Sequence, residues 1–192
     1  MTERTHDMAA LTALMIAFVF TPLTQVTIVT LVAMLVLSQI GSAFPDLDQP
    51  TAEFYKELPA SSFFGRLLSP LMGSHRMISH SIIGMIIIGY LLHLLLTYLG
   101  TIILIDMKLA WSAFMLGYLS HLIADSFTKE GVPWLFPIPI RFGFPPFRFL
   151  RIKTGKIMET VLAYPALVAL NGYLIYMNYG KVLDFFHNYI SR

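Results

Sequence analysis

The chain contains no cysteine. Disulfide frameworks and thiolate metal sites are therefore excluded, and any transition metal must be held by His, Asp and Glu. Charge is scarce too. Charged residues make up 12% of the sequence, against about 25% in an ordinary soluble domain. With 56% of residues hydrophobic, the polar surface is too small to coat a water-soluble globule, and the excess apolar surface must face lipid. The net charge of +2 gives no reason to expect a nucleic-acid partner. The first seven residues, Met1-Thr-Glu-Arg-Thr-His-Asp7, carry two acids ahead of the first apolar run. That is a poor positive flank for a removable signal peptide, and none is expected. No internal repeat or low-complexity tract is present.

What the chain has instead is long apolar runs. They cover about residues 8–20, 26–44, 81–99, 109–127 and 159–179. A crossing helix needs about 20 residues, with roughly 17 tolerated. The first run is short and meets Pro22, the second stops at Pro45-Asp46, and Gly100 closes the third. Residues 51–74 read as a loop with a short amphipathic helix. Residues 128–157 are rich in Pro and aromatics and break helices too often to span. Trp and Phe beside Arg in this loop suit the headgroup interface. The expected fold is all-α, an integral membrane bundle of about five helices forming one domain over residues 1–192.

Five crossings sort the loops onto two faces. Arg4, Lys56, Arg66, Arg76, Lys129, Arg141, Arg148, Arg151, Lys153 and Lys156 fall on one face, and only Lys108, Lys181 and Arg192 on the other. The positive-inside rule places the richer face in the cytoplasm. His6, Asp46, Asp48, His75, His80, His121, Asp125 and Glu159 all fall at that same end of their helices. They come from five separate stretches, yet helix ends converge in a compact bundle.

Each motif has a functional and a bland interpretation. His121 and Asp125 are four residues apart, so they share one helix face about 5–6 Å apart at Cβ. They could share a metal, or form a His–Asp hydrogen bond tying helices together. Asp46 and Asp48 follow Pro45 on a non-helical turn. One carboxylate could bind a metal while the other bridges or orients a His, or both could be solvated acids at a helix stop. His75-Arg-Met-Ile-Ser-His80 places two His, Arg76 and hydroxyls at a helix start, a typical anion site. The alternative is a basic segment meeting lipid headgroups. His6 and Glu159 gain interest from the side they share with the rest, although the helix dipole alone would favour Glu159. His93 lies 13 residues past His80, about 20 Å along a helix, so it and the terminal His187 are expected to be structural.

The series Thr5-His6, Phe44-Pro-Asp-Leu-Asp48, His75-Arg-Met-Ile-Ser-His-Ser81, Gly117-Tyr-Leu-Ser-His-Leu-Ile-Ala-Asp125 and Gly131-Val-Pro-Trp-Leu-Phe-Pro137 resembles the YdjM-like membrane-bound metal-dependent hydrolases over nearly the whole chain. A more distant likeness is to zinc phospholipase C and related zinc nucleases. Their order of early His, Asp, His, His-x-x-x-Asp and late Glu is matched by His6, Asp46 or Asp48, His75 or His80, His121 with Asp125, and Glu159. Those enzymes carry a further His four residues before the late Glu, where this chain has Gly155. One or two metal ions are therefore expected rather than three.

The resemblance implies hydrolysis, with Zn2+ or another divalent ion held by His6, Asp46, Asp48, His75, His80, His121 and Asp125. Asp48 or Glu159 would orient water or act as base, and Arg76 would stabilise phosphoryl charge. The expected substrate is a lipid or lipid-linked phosphate at the cytoplasmic leaflet, with Arg148, Arg151 and Lys153 attracting anionic lipid. The competing expectation is a membrane scaffold or regulator whose metal or His–Asp network only staples helices. A transporter ranks last, because its ionisable groups belong near the midplane.

Overall fold

A computed structural model of the chain describes residues 1–20, 26–48, 78–138 and 140–190. The architecture is all-helical, as the composition and apolar runs lead one to expect. Helix α1 spans Glu3–Phe20 and α2 spans Ile28–Ala43, running on into a 3-10 turn at Phe44–Asp48. Helix α3 covers Ile82–Leu99, α4 Met107–Ser126, α5 Tyr164–Met177 and α6 Tyr179–Ile190. No named strand occurs among the described residues.

Local chemistry sets the helix starts. Thr27 accepts a hydrogen bond from Thr30 N at the start of α2. Ser81 accepts from Gly84 N at the start of α3, and Asp106 accepts from Lys108 N and Leu109 N at the start of α4. Each satisfies amide groups that a helix start leaves without internal partners. Helix α5 is entered through a wide π turn at Glu159–Ala163. Pro165 lies just beyond it. Proline cannot donate to the carbonyl four residues back and collides with it, which favours the wider turn.

Three helical segments are long and apolar enough to cross a membrane: Ile28–Leu47, Ile82–Leu99 and Glu159–Met177. The other two expected crossings are not apolar enough alone. Helix α1 carries Glu3, Arg4 and Asp7, while α4 carries Ser120, His121 and Asp125. On α1, Thr5, His6 and Thr12 turn inward, while Glu3 and Arg4 stay exposed at its start. In α4, His121 and Asp125 are buried along with Gly117, Tyr118, Ser120 and Leu122. By contrast, Ile86 and Leu94 on α3 and Tyr176 on α5 are exposed. A charged residue at the centre of a lipid-facing helix costs about 2.5–3.5 kcal/mol. The bundle therefore presents mostly apolar side chains outward and gathers Thr12, Ser38, Ser42, His121 and Asp125 inside.

Helix α4 is the hub, packed against α1, α2 and α3, while α5 rests on α1. The α2–α4 crossing is close because glycines face it from both sides. A Cβ on Gly117 would lie 2.0 Å from Ser38 O, and one on Gly41 would lie 2.1 Å from Phe114 O. Small residues allow such backbone approach between helices in lipid. Away from the α2 crossing, Trp111 donates to Gly89 O at 2.7 Å, joining α4 to α3. Asn171 donates to Thr12 Oγ1 at 2.8 Å, joining α5 to α1.

Candidate metal centre

Four chain segments bring donor atoms to one end of the bundle. His6 comes from the first turns of α1, Asp46 from the 3-10 turn after α2, His80 from the turn before α3, and His121 with Asp125 from the last turns of α4. His6, His80, His121 and Asp125 are buried, and Asp46 is partly exposed.

The donors lie close together. His80 Nε2 is 3.3 Å from His121 Nε2 and 3.5 Å from Asp46 Oδ1. His6 Nε2 is 3.3 Å from Asp125 Oδ1. His121 Nε2 lies 3.9 Å from both Asp46 Oδ1 and Asp125 Oδ2, and His80 Nε2 lies 3.8 Å from the latter. The His6 and His121 rings stack at 3.7 Å. Two trios, His6–Asp46–His121 and His80–His121–Asp125, have the spacing to hold an ion.

Neighbouring groups fix how the rings point. His121 Nδ1 lies 2.7 Å from the Ser42 carbonyl. A carbonyl only accepts, so Nδ1 carries the proton and Nε2 offers its lone pair to the cluster. Gly41 and Gly117 make this contact reachable, since the close α2–α4 crossing brings Ser42 under His121. His80 is set by a pinned turn. Tyr118 Oη donates to Ser79 O at 2.6 Å, Ser81 Oγ donates to Ile78 O at 2.7 Å, and Ser79 Oγ lies 3.0 Å from His80 Nδ1.

His6, ahead of the apolar stretch that begins at Met8, is held below its ordinary pKa by burial, with the Asp125 carboxylate opposing. Burial thus favours the neutral imidazole, the form that binds metals. Asp7 beside it is pushed above the usual carboxylate range, also by burial.

These residues fit a divalent ion. Donors at about 2.0–2.2 Å from a tetrahedral ion are separated by about 3.4 Å, close to the 3.3–3.5 Å seen here. His6 is buried with neither ring nitrogen in a well-formed hydrogen bond. Imidazole and carboxylate donors suit zinc and its neighbours. His121 has only one nitrogen to give, so the two trios that share it are parts of one centre.

Glu159 is placed differently. Its Oε1 accepts from Thr2 N at 2.6 Å and Thr2 Oγ1 at 2.8 Å, and its Oε2 accepts from Gly155 N at 2.7 Å. It ties the N-terminal segment, and hence His6, to the loop ahead of α5. Gly155 has φ 69°, a left-handed turn that favours glycine. Asp48 closes the 3-10 turn that supplies Asp46. His75 and Arg76 lie outside the described residues. His93 is exposed on α3 with its ring 6.1 Å from Trp111, far from the cluster in sequence and structure.

Sequence reasoning missed several groups. The Ser42 carbonyl, the Thr2 donors on Glu159 and the Met1 amino group that pairs with Asp125 belong to the site. Backbone groups leave no mark in a sequence, although a Gly-Ser pair inside an apolar run signals close helix approach.

Across residues 1–182 the chain matches the family described as YdjM inner membrane protein. It belongs to that family. It is also similar to a Bacillus subtilis (strain 168) protein described as the uncharacterized protein YvsG. The two are 29% identical over 180 residues, covering 92% of this chain and 96% of YvsG. No solved structure matches the chain. This YdjM-family member is thus a membrane protein with a buried His/Asp cluster able to hold a metal ion.

Around the cluster, the 128–157 loop is tightly built. Arg151 donates to Pro145 O and Pro146 O, so its guanidinium is spent inside the loop. Arg148 donates to Lys129 O and stays exposed. Trp134 donates to Ser126 Oγ, and Phe144 N donates to Ser126 O, which anchors the loop on the end of α4.

Proposed function

We propose that this protein is a metal-dependent phosphoesterase acting on a lipid or lipid-linked phosphate at the cytoplasmic leaflet. The observation that carries this reading is the convergence of His6, Asp46, His80, His121 and Asp125 from four segments onto one buried point. Isolated polar groups in a membrane bundle are costly, and such residues mark function by default. One or two zinc ions are the proposed cofactor.

When bound, such an ion supplies Lewis acidity and activates water for attack near neutral pH. The chain's own residues do the rest. The Ser42 carbonyl holds His121 in the tautomer that faces the cluster. Glu159 secures the segment that carries His6. Asp46 is the partly exposed donor, with its side chain 28% accessible, while the other donor side chains are at most 3% accessible. Substrate therefore approaches from the Asp46 side; Asp48 or Glu159 is the proposed base and Arg76 the proposed phosphoryl partner.

The Pro/aromatic loop offers Phe144, Phe147 and Phe149 as exposed apolar groups beside Lys153 and Lys156. Aromatic and cationic groups together suit an anionic headgroup layer, and we assign the loop to the leaflet that presents the substrate. The Lys and Arg distribution supports a cytoplasmic location for this end.

The test is metal analysis of detergent-purified protein, paired with turnover on phospholipids and isoprenoid phosphates. Wild-type protein should carry zinc and hydrolyse one of these classes, and chelation should stop it. His121→Ala and Asp125→Ala should each lose metal and about a hundredfold or more in rate, since loss of a ligand's outer partner alone typically costs about 10–100-fold. Retained turnover in a folded His121→Ala protein would refute the proposal. Bound metal without turnover would leave the scaffold reading standing.

A further inference from the structure

Beneath the cluster, the same three helices that carry most of its donors enclose a groove of about 400 Å³. Leu14 and Phe18 of α1, Leu31 and Met34 of α2, and Leu116 of α4 line it, and Ser112 is its only polar side chain among the described residues. The volume is within the range of small-ligand sites, about 300–1,000 Å³.

The chemistry of the lining decides what can occupy it. Water needs two to four polar partners, and the groove offers one hydroxyl. An extended peptide would leave its N–H and C=O groups unpaired at membrane depth. A hydrocarbon chain needs no polar partner and gains from every apolar contact.

Its depth is equally specific. From His6 to Leu11 and from His121 to Leu116 are five residues each, or about 7.5 Å of helix. Helices α1 and α4 therefore place the start of the groove at the same distance below these two donors. From there it runs toward the opposite end, reaching Leu109 and Val182.

We propose that this groove holds one hydrocarbon chain of a lipid whose phosphate-bearing head lies at the His/Asp cluster. The placement of the head rests on the phosphoesterase reading; the chain site does not. A lipid held at both points is oriented before reaction, which converts chain burial into alignment of the phosphoester.

The experiment uses full-length protein in phosphatidylglycerol nanodiscs doped with phosphatidylglycerol carrying a diazirine midway along one chain. After irradiation, adducts are mapped by mass spectrometry. Adducts on residues 11–18 and 109–116 should exceed those on the outward face of α3, around Ile86 and Leu94, several-fold, since that face reports bulk lipid. Ala17→Trp, which fills the groove from a half-buried position, should bring the groove adducts down to the α3 level while bound metal is unchanged. Ser112→Leu provides a second filling variant should Ala17→Trp lose its metal. Even labelling of groove and α3, or undiminished groove labelling in a metal-loaded filling variant, would overturn the chain site. Groove labelling in a metal-loaded protein that hydrolyses no phosphoester would support the chain site and remove the enzymatic reading. Hydrolysis with even labelling would do the reverse.

Discussion

The His121 side chain shows how one residue depends on partners a sequence does not display. Its pairing with Asp125 was legible, because four-residue spacing puts two side chains on one helix face. What turns the ring is the Ser42 carbonyl, and any residue at position 42 would supply a carbonyl. Glu159 shows the same limit from the other direction. Its place near the site was legible, but its acceptance of three hydrogen bonds from Thr2 and Gly155 was not. Glu159→Gln makes this testable. An amide has one acceptor oxygen and brings a donor against existing donors, and leaving buried polar groups unpaired costs about 1–3 kcal/mol. The variant should melt at lower temperature and bind zinc more weakly, without losing it altogether, because only His6 is loosened. Competition with a chromogenic chelator measures the affinity. Wild-type affinity together with lost turnover would instead assign Glu159 to the chemistry.

At the scale of elements, the apolar runs marked the helices well, and the surprises have physical causes. Helix α4 is the least lipid-facing because its small and polar residues make it the hub, a role that periodicity could not separate from an ordinary crossing. The last run continues past a break at Asn178 into α6, where a tail was expected, and Lys181 donates from there to Val19 O. The strongest prediction here concerns the α2–α4 crossing. Gly117→Val places atoms where Ser38 O already lies, 2.0 Å from the first added carbon. The helices must separate, and Ser42 must withdraw from His121. We expect a loss of metal affinity approaching that of His121→Ala, although position 117 has no side chain to offer the ion. Gly172→Val on α5, where an added carbon meets nothing within 4 Å, is the matched control and should bind metal as the wild type does. Normal zinc content in Gly117→Val would show that the crossing does not set the site.

For the whole molecule, a centre drawing on four segments links metal binding to folding. A ligand that binds only the folded state stabilises it by about 2.7 kcal/mol at a hundred times its dissociation constant. Chelation should therefore lower the melting temperature in detergent, zinc should restore it, and His121→Ala should respond to neither. A wild-type melting curve indifferent to chelator would mean that the His–Asp contacts hold the segments unaided.

The scarcity of lipid-facing surface on α4 also bears on how the chain enters a bilayer during synthesis. Helix α3 precedes α4 by a short connection and is apolar enough to insert alone, whereas α4 is not. The translocation machinery would then release α4 sideways, together with α3, against a seat that α2 provides. The two would enter as a hairpin, and the same glycines that later orient an imidazole would first serve as the landing place for a reluctant segment.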